Sequence, residues 1–472
     1  MKRIVLSLLA LSLSAPIGNA AADELVPVGI ARVSITPQHP VRLAGYASRI
    51  TESEGVAQPI WAKAVAIGSD EGEGPALLVM VENCGVPQSL TRVVVKRLSR
   101  ERNVRPERIN ICSTHCHTGP WLVGFLPLHT VSGLPDEHRA HMRQYTEQLG
   151  QWLVEVAEKA LQARQPSRLS WAQGKVTFAM NRRPVKDGRC PGLGVNPEGH
   201  VDHSLPLLRV DDAQGRLRAL VLNYACHCTT LTGKHNQIHG DWAGCAMQMI
   251  EAQHPGASAV VCVGCGADAN PEPRGEMEHT SQHGQAVADE VQRLLAGPWT
   301  PVTGKLAARS RAIRLPFDSL PTREEFQQRV AKGEEAKATL QAKRVAAHAA
   351  AMLKQMDQGI LATGFDYQIT TWRFGDGLAM VFLPGEVVVD YALRLKQELN
   401  DPQLWVTAYA NDVPCYIVTR QILAEGGYEP DTSMLGYGRP ARLAPEVEDL
   451  IVGTVKELLS SGAATDKTGA RK

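Results

Sequence analysis

The run Ile109-Asn110-Ile111-Cys112-Ser113-Thr114-His115-Cys116-His117-Thr118-Gly119-Pro120 opens as a short apolar strand and ends as a polar loop carrying two histidines. On extended backbone, residues two apart face the same side. His115 and His117 are therefore expected on one side and Cys116 on the other. One imidazole of such a pair suits a metal ion and the other a substrate lying against it. The simpler alternative is a pair of hydrogen-bonded polar groups at a strand end. A metal site would need ligands from elsewhere in the chain. Asn223-Tyr224-Ala225-Cys226-His227-Cys228-Thr229 also ends a strand, and two strands ending in histidine at one sheet edge suit a shared metal site. Leu383-Pro384-Gly385-Glu386 has the same strand-then-loop form, with Glu386 at a helix start as an N-cap carboxylate or a ligand. Asn411-Asp412-Val413-Pro414-Cys415-Tyr416 follows a further strand.

Around these segments, strand-like and helical runs alternate. Strands are expected at 62–68, 76–82, 109–113, 169–180, 205–210, 219–225, 259–263, 367–374, 378–383 and 404–410. Helices are expected at 89–102, 139–164, 242–252, 276–295, 386–399 and 444–459. The fold class this predicts is α/β: a layered domain with a mixed sheet, surrounding helices and a metal site at strand ends. Thr322-Arg323-Glu324-Glu325 is a capping box and opens a helical insert near 322–359, with a possible break at Gly333. It is expected to pack on the surface or form a lid. Gly264-Cys265-Gly266-Ala267-Asp268-Ala269 fits a loose dinucleotide fingerprint, but Pro271 and Pro273 exclude the helix that fingerprint requires.

Of 472 residues, 44% are hydrophobic, and 50 Lys and Arg against 49 Asp and Glu leave a net charge of +1. That balance gives no global attraction for nucleic acid or an anionic membrane surface. Lys2 and Arg3, an apolar run from Ile4 to about Pro16 and the small residues 18–22 read as a signal peptide over 1–22. No later stretch is long enough for a transmembrane segment. The expected mature protein is exported, periplasmic or secreted, with one domain over 23–459 and a disordered tail at 460–472. Ten cysteines lie mostly in apolar runs, so at most one or two bridges are expected, and those flanking the histidines are expected to pack or to form a Cys112–Cys228-type bridge behind them.

Taken together and in order, these motifs resemble the neutral (non-lysosomal) ceramidase family in its catalytic domain, over roughly 28–459. The resemblance is carried by Gly29–Pro37, Leu43–Ala47, Ile60–Ala64, Thr114–Pro120, Asn181–Pro184, Asn223–His227, Gly240–Gly244, Gly266–Pro271, Pro384–Glu386 and Tyr416–Thr419. It implies a zinc ion held by His115, His227, Glu386 and Tyr416. It also implies that His117 faces substrate as the proton-transfer group and that Tyr428 steadies the oxyanion. The implied substrate is a small-molecule or lipid amide, cleaved at its N-acyl bond. The family's serine before proline is Asn270 here. Three other readings stay open: the same scaffold acting on a non-lipid amide or an ester, a non-enzymatic zinc-stabilised binding protein, and a cysteine-nucleophile hydrolase. The sequence leaves the oligomeric state unassigned.

Overall fold

A computed structural model describes residues 25–128, 133–375 and 377–460. The segment read as a signal peptide, and the tail beyond Ser460, lie outside the described residues. The architecture is the expected α/β one, a large mixed sheet with helices around it. Across that sheet the strands run Ile109–Ser113, Ala76–Val81, Trp61–Ile67, Val26–Ser34, Gln165–Lys175, Ser204–Asp212, Leu217–Tyr224 and Ser258–Val263, with Thr300–Pro301 paired to Gln165–Lys175. The outermost pair at each edge is parallel and the pairs between them are antiparallel.

Ala76–Val81 is buried along its whole length, which its unbroken apolar sequence ALLVMV requires. Lys63, 1% exposed in the neighbouring strand, is tolerated because its ammonium reaches Glu251 at 2.6 Å and the Ala259 carbonyl at 2.9 Å. Helix Asp136–Gln162 packs on Val26–Ser34 and Trp61–Ile67, and Gln88–Arg102 packs on that helix. Helix Asp241–Gln253 packs on Ser258–Val263 and on helix Met277–Leu295.

A second sheet runs Leu306–Pro316, Gly364–Phe374, Ala379–Phe382 and Trp405–Thr407. The chain that leaves it joins both edges of the first. On one side Asn411 N donates to the Ile111 carbonyl at 2.7 Å and Ser113 N to the Tyr409 carbonyl at 3.2 Å. On the other, Ala408 N donates to the Val263 carbonyl at 3.0 Å. Tyr409 and Asn411 adopt left-handed backbone to do so, with φ of 53° and 65°. Two sheet edges with unpaired amides are thereby covered by one segment.

Several local expectations are corrected. Glu386 does not begin a helix: Glu386–Val387 is a two-residue strand paired in parallel with Tyr416–Ile417, and the helix starts at Val389. The expected strand 169–180 is divided into Gln165–Lys175 and Ala179–Asn181, the latter paired with Ala269–Pro271. Val26–Ser34 and Leu306–Pro316 are strands that the sequence pattern does not announce. The insert is two helices, Arg323–Glu334 and Leu340–Asp357. The chain breaks between them, not at Gly333, which is needed for their close crossing: a Cβ there would sit 2.2 Å from that of Ala346. All ten cysteines are free and buried. Cys112 has Cys262, not Cys228, as its thiol neighbour, because the two edge strands converge.

Candidate active site

The site lies where chain segments leave the edges of the large sheet. His115 follows strand Ile109–Ser113 in left-handed backbone, φ 55°, so the extended geometry expected there does not hold. The two histidines nevertheless meet: His117 Nε2 is 2.9 Å from His115 Nε2. Cys116 does point away, its thiol contacting the His239 carbonyl at 2.8 Å. Gly45 makes room for the His117 ring. Its φ is 89°, and a Cβ on it would fall 2.4 Å from Cγ and Nδ1 of His117.

His227 follows strand Leu217–Tyr224. Its Nδ1 donates to the Gly266 carbonyl at 2.9 Å, as His115 Nδ1 donates to the Cys84 carbonyl at 2.6 Å. A carbonyl only accepts, so in each ring Nδ1 carries a proton and Nε2 is the atom turned to the site, with Arg182 Nη1 3.3 Å from Nε2 of His227. Those two nitrogens face one atom, Glu386 Oε2, at 3.2 Å from His115 and 3.1 Å from His227. Three buried lone pairs converging on one point repel unless a cation or protons lie between them. The donors of His115, His227 and Glu386 lie within 4.8 Å of one another. Two imidazoles and a carboxylate are ligands of the type zinc favours. The residues present therefore fit a metal ion. Tyr437 donates to the other Glu386 oxygen and holds the carboxylate's orientation.

Tyr416, the fourth residue read as a ligand, lies beside Glu386 in the short parallel pair and lines the same cavity. Its hydroxyl accepts from Arg182 Nη2 at 2.9 Å. Tyr428 also lines the cavity, 36% exposed, with its ring 5.6 Å from that of Tyr416. Burial and the Glu386 carboxylate push its phenol up to about 12, so at neutral pH it is a proton donor. For His117, burial and the neighbouring His115 and His227 hold the imidazole well below its ordinary value, so it is neutral and able to accept a proton. The cavity measures about 210 Å³.

Three contributors carry no assigned role in the sequence reading. Arg182 stood within the Asn181–Pro184 motif without a role of its own; Tyr437 has no pattern around it; the Cys84 carbonyl is backbone. Asn270, which stands in the family serine's place, accepts from Arg182 Nη1 at 3.4 Å and from Thr229 at 3.1 Å. Burial pushes the thiols of Cys84, Cys116, Cys226 and Cys228 up, which keeps them protonated and disfavours a cysteine nucleophile.

Residues 26–271 match the family model described as neutral/alkaline non-lysosomal ceramidase, N-terminal. The neutral ceramidase of Pseudomonas aeruginosa is 25% identical over 343 residues, covering 68% of this chain and 49% of that protein. Neutral ceramidase B of Dictyostelium discoideum is 24% identical over 241 residues, covering 50% of this chain and 33% of its own length. The matches thus span half or less of the relatives' length. A solved structure titled as ceramidase complexed with C2 superposes with a TM-score of 0.70 at 18% identity, covering 92% of this chain and 74% of the other. The crystal structure of the Pseudomonas aeruginosa neutral ceramidase gives 0.68 at 19% identity, with the same coverage. These likenesses carry the fold.

Proposed function

Since the chain belongs to the neutral/alkaline non-lysosomal ceramidase family, we propose that it is a zinc-dependent hydrolase of a linear N-acyl amide. The observation that carries this is the convergence of two imidazole Nε2 atoms and a carboxylate oxygen beside a third, neutral histidine. His115, His227, Glu386 and Tyr416 would hold the ion. When bound, zinc supplies Lewis acidity toward water and the acyl oxygen.

The chain's own residues do the rest. His117 takes a proton from the attacking water and returns it to the departing amine nitrogen. The Tyr428 hydroxyl donates to the oxyanion as it forms. Arg182 keeps the Tyr416 oxygen in place from behind. A purely structural metal site is usually closed, whereas this one opens on a cavity that also holds His117 and Tyr428. The leader-like segment 1–22 supports an exported protein. Among the described residues no helix is long and apolar enough to cross a membrane.

The test is elemental analysis of the purified protein with turnover of ceramide, a short N-acyl amine and the matching ester. Bound zinc and chelator-sensitive amide cleavage that falls at least 100-fold in His117→Ala are expected. Cleavage indifferent to chelation, or undiminished in His117→Ala, overturns the reading. An ester-only activity would select the ester alternative.

A further inference from the structure

A loop with no part in the chemistry lies beside the catalytic cavity. Residues 184–195 leave Arg183 and return to Asn196. Both ends are pinned to the same backbone: Gly194 N donates to the Arg182 carbonyl at 2.9 Å, and Asn196 Nδ2 to the Arg183 carbonyl at 2.8 Å. The middle is anchored by buried Cys190, whose N donates to the Glu425 carbonyl at 3.1 Å. Gly427, with φ 108°, packs against that anchor; a Cβ on it would fall 3.1 Å from that of Cys190. The loop is therefore seated on the turn that carries Tyr428, a lining residue of the cavity.

What the loop turns to solvent is apolar and basic. Leu193 and Val195 are 52% and 51% exposed, and Val185 and Pro191 are exposed as well. Lys186 and Arg189 exchange backbone hydrogen bonds of 2.8 and 2.9 Å across the turn Asp187-Gly188, whose two residues are both in left-handed backbone. Residues paired in this way share a face, and like charges there repel. Neither side chain has an ion-pair or hydrogen-bond partner among the described residues. Asp187 is the one acidic residue of 184–195. At the helical insert, Leu340 is 71% exposed and adjoins Gln341 of the cavity lining. Single exposed apolar side chains are ordinary, but several on one braced loop beside a cavity make a contact surface. Two unpaired cations side by side match a surface dense in phosphate, where the apolar side chains find acyl chains just beneath.

We propose that loop 184–195, with Leu340, docks the protein on an anionic lipid surface, so that the catalytic cavity opens toward the bilayer. The docking stands on this surface alone; that it feeds an acyl amide to the cavity rests on the amidase reading.

The test measures partition of the full chain, by sedimentation, with vesicles of phosphatidylcholine alone and of phosphatidylcholine mixed with phosphatidylglycerol. Binding to the mixed vesicles should be stronger by about fivefold or more and weaken as salt is raised. Leu193→Asp with Val195→Asp should cut partition by about tenfold or more, and the milder Leu193→Ser with Val195→Ser should cut it in part. Lys186→Gln with Arg189→Gln should erase the preference for the mixed vesicles. Circular dichroism and thermal midpoints, expected unaltered at these exposed positions, check that the variants are folded. Partition into neither vesicle, or equal partition of the wild type and the Leu193 and Val195 variants, overturns docking at this loop and leaves the amidase reading standing. Docking as described, with cleavage of neither ceramide nor a short N-acyl amine, overturns the amidase reading alone.

Discussion

Glu429 places one carboxylate oxygen 3.0 Å from Nε of Arg182, in a spot where neither side chain has appreciable contact with solvent. The other oxygen bonds Arg183, which also reaches Glu425 at 2.9 Å. Tyr428 precedes Glu429 in the same short turn. One ion-pair network thus links Arg182 and Arg183, just past strand Ala179–Asn181, to the turn that carries the proposed oxyanion donor. Glu429→Gln leaves two buried guanidinium groups short of a counter-charge. The expected cost is about 3–5 kcal/mol of unfolding free energy, read by denaturant titration. Activity at saturating substrate should fall as well, because the Tyr428 turn loses its tether.

Stripping the site with a chelator should abolish turnover and lower the thermal midpoint, since the three facing lone pairs then repel. With metal at about a thousand times its dissociation constant, the stabilisation lost is about 4 kcal/mol. Zinc is expected to restore both readouts. Magnesium is not, because it prefers all-oxygen ligation. A thermal midpoint indifferent to chelation would count against any metal in this pocket.

Gly45→Ala adds a methyl group where the His117 ring lies, in a backbone conformation side chains seldom adopt. The expected stability loss is about 1–3 kcal/mol. kcat should also fall, by about 100-fold, because displacing a proton-transfer group by an ångström is costly. Circular dichroism of the folded variant alongside its kinetics separates the two effects.

Glu82 makes stability depend on pH. Its Oε2 accepts from Trp61 N at 2.7 Å, while Oε1 packs against Gly240 and Gly244 without a hydrogen-bond partner among the described residues. Burial pushes the carboxyl from 4.5 up to about 7, against the pull of nearby Lys63. The folded state therefore holds this proton more tightly than the unfolded state. The stabilisation is complete below about 4.5 and is lost as pH rises through about 7. Asp268, also raised to about 7 by burial, adds a slope of the same sign. In Glu82→Gln the slope should be shallower by about 3 kcal/mol across that window. Denaturant midpoints of variant and wild type, compared pH by pH, provide the measurement.

The residues that converge were readable because each stands where an apolar run gives way to a polar loop: His115 after Ser113, His227 after Tyr224, Glu386 after Phe382. Their supporting groups were not. The carbonyls of Cys84 and Gly266 belong to the backbone, and no side-chain pattern marks them. Arg182 and Arg183 look alike in the chain. Only tertiary packing sends the first to Tyr416 and the second to Glu425. Strand Val26–Ser34 was hidden by Pro27 and Gly29, yet that glycine is required: a Cβ on it would fall 1.8 Å from the Ala160 carbonyl of the helix above. Leu306–Pro316 carries three arginines, and that polarity masks an edge strand whose strand partner among the described residues is Gly364–Phe374.

The segment 407–411, seated against both outer strands of the large sheet, has a consequence for biogenesis. During synthesis the ribosome delivers Ile111 some three hundred residues before Asn411, its hydrogen-bonding mate. Until then the nascent chain displays a raw strand border at Ile111, joined by a second once Val263 has emerged, both open to pairing with other chains. A fragment ending near 271 would keep those borders permanently bare. It should aggregate rather than behave as a free-standing module, and the late-arriving half of the polypeptide serves as the seal on the early one.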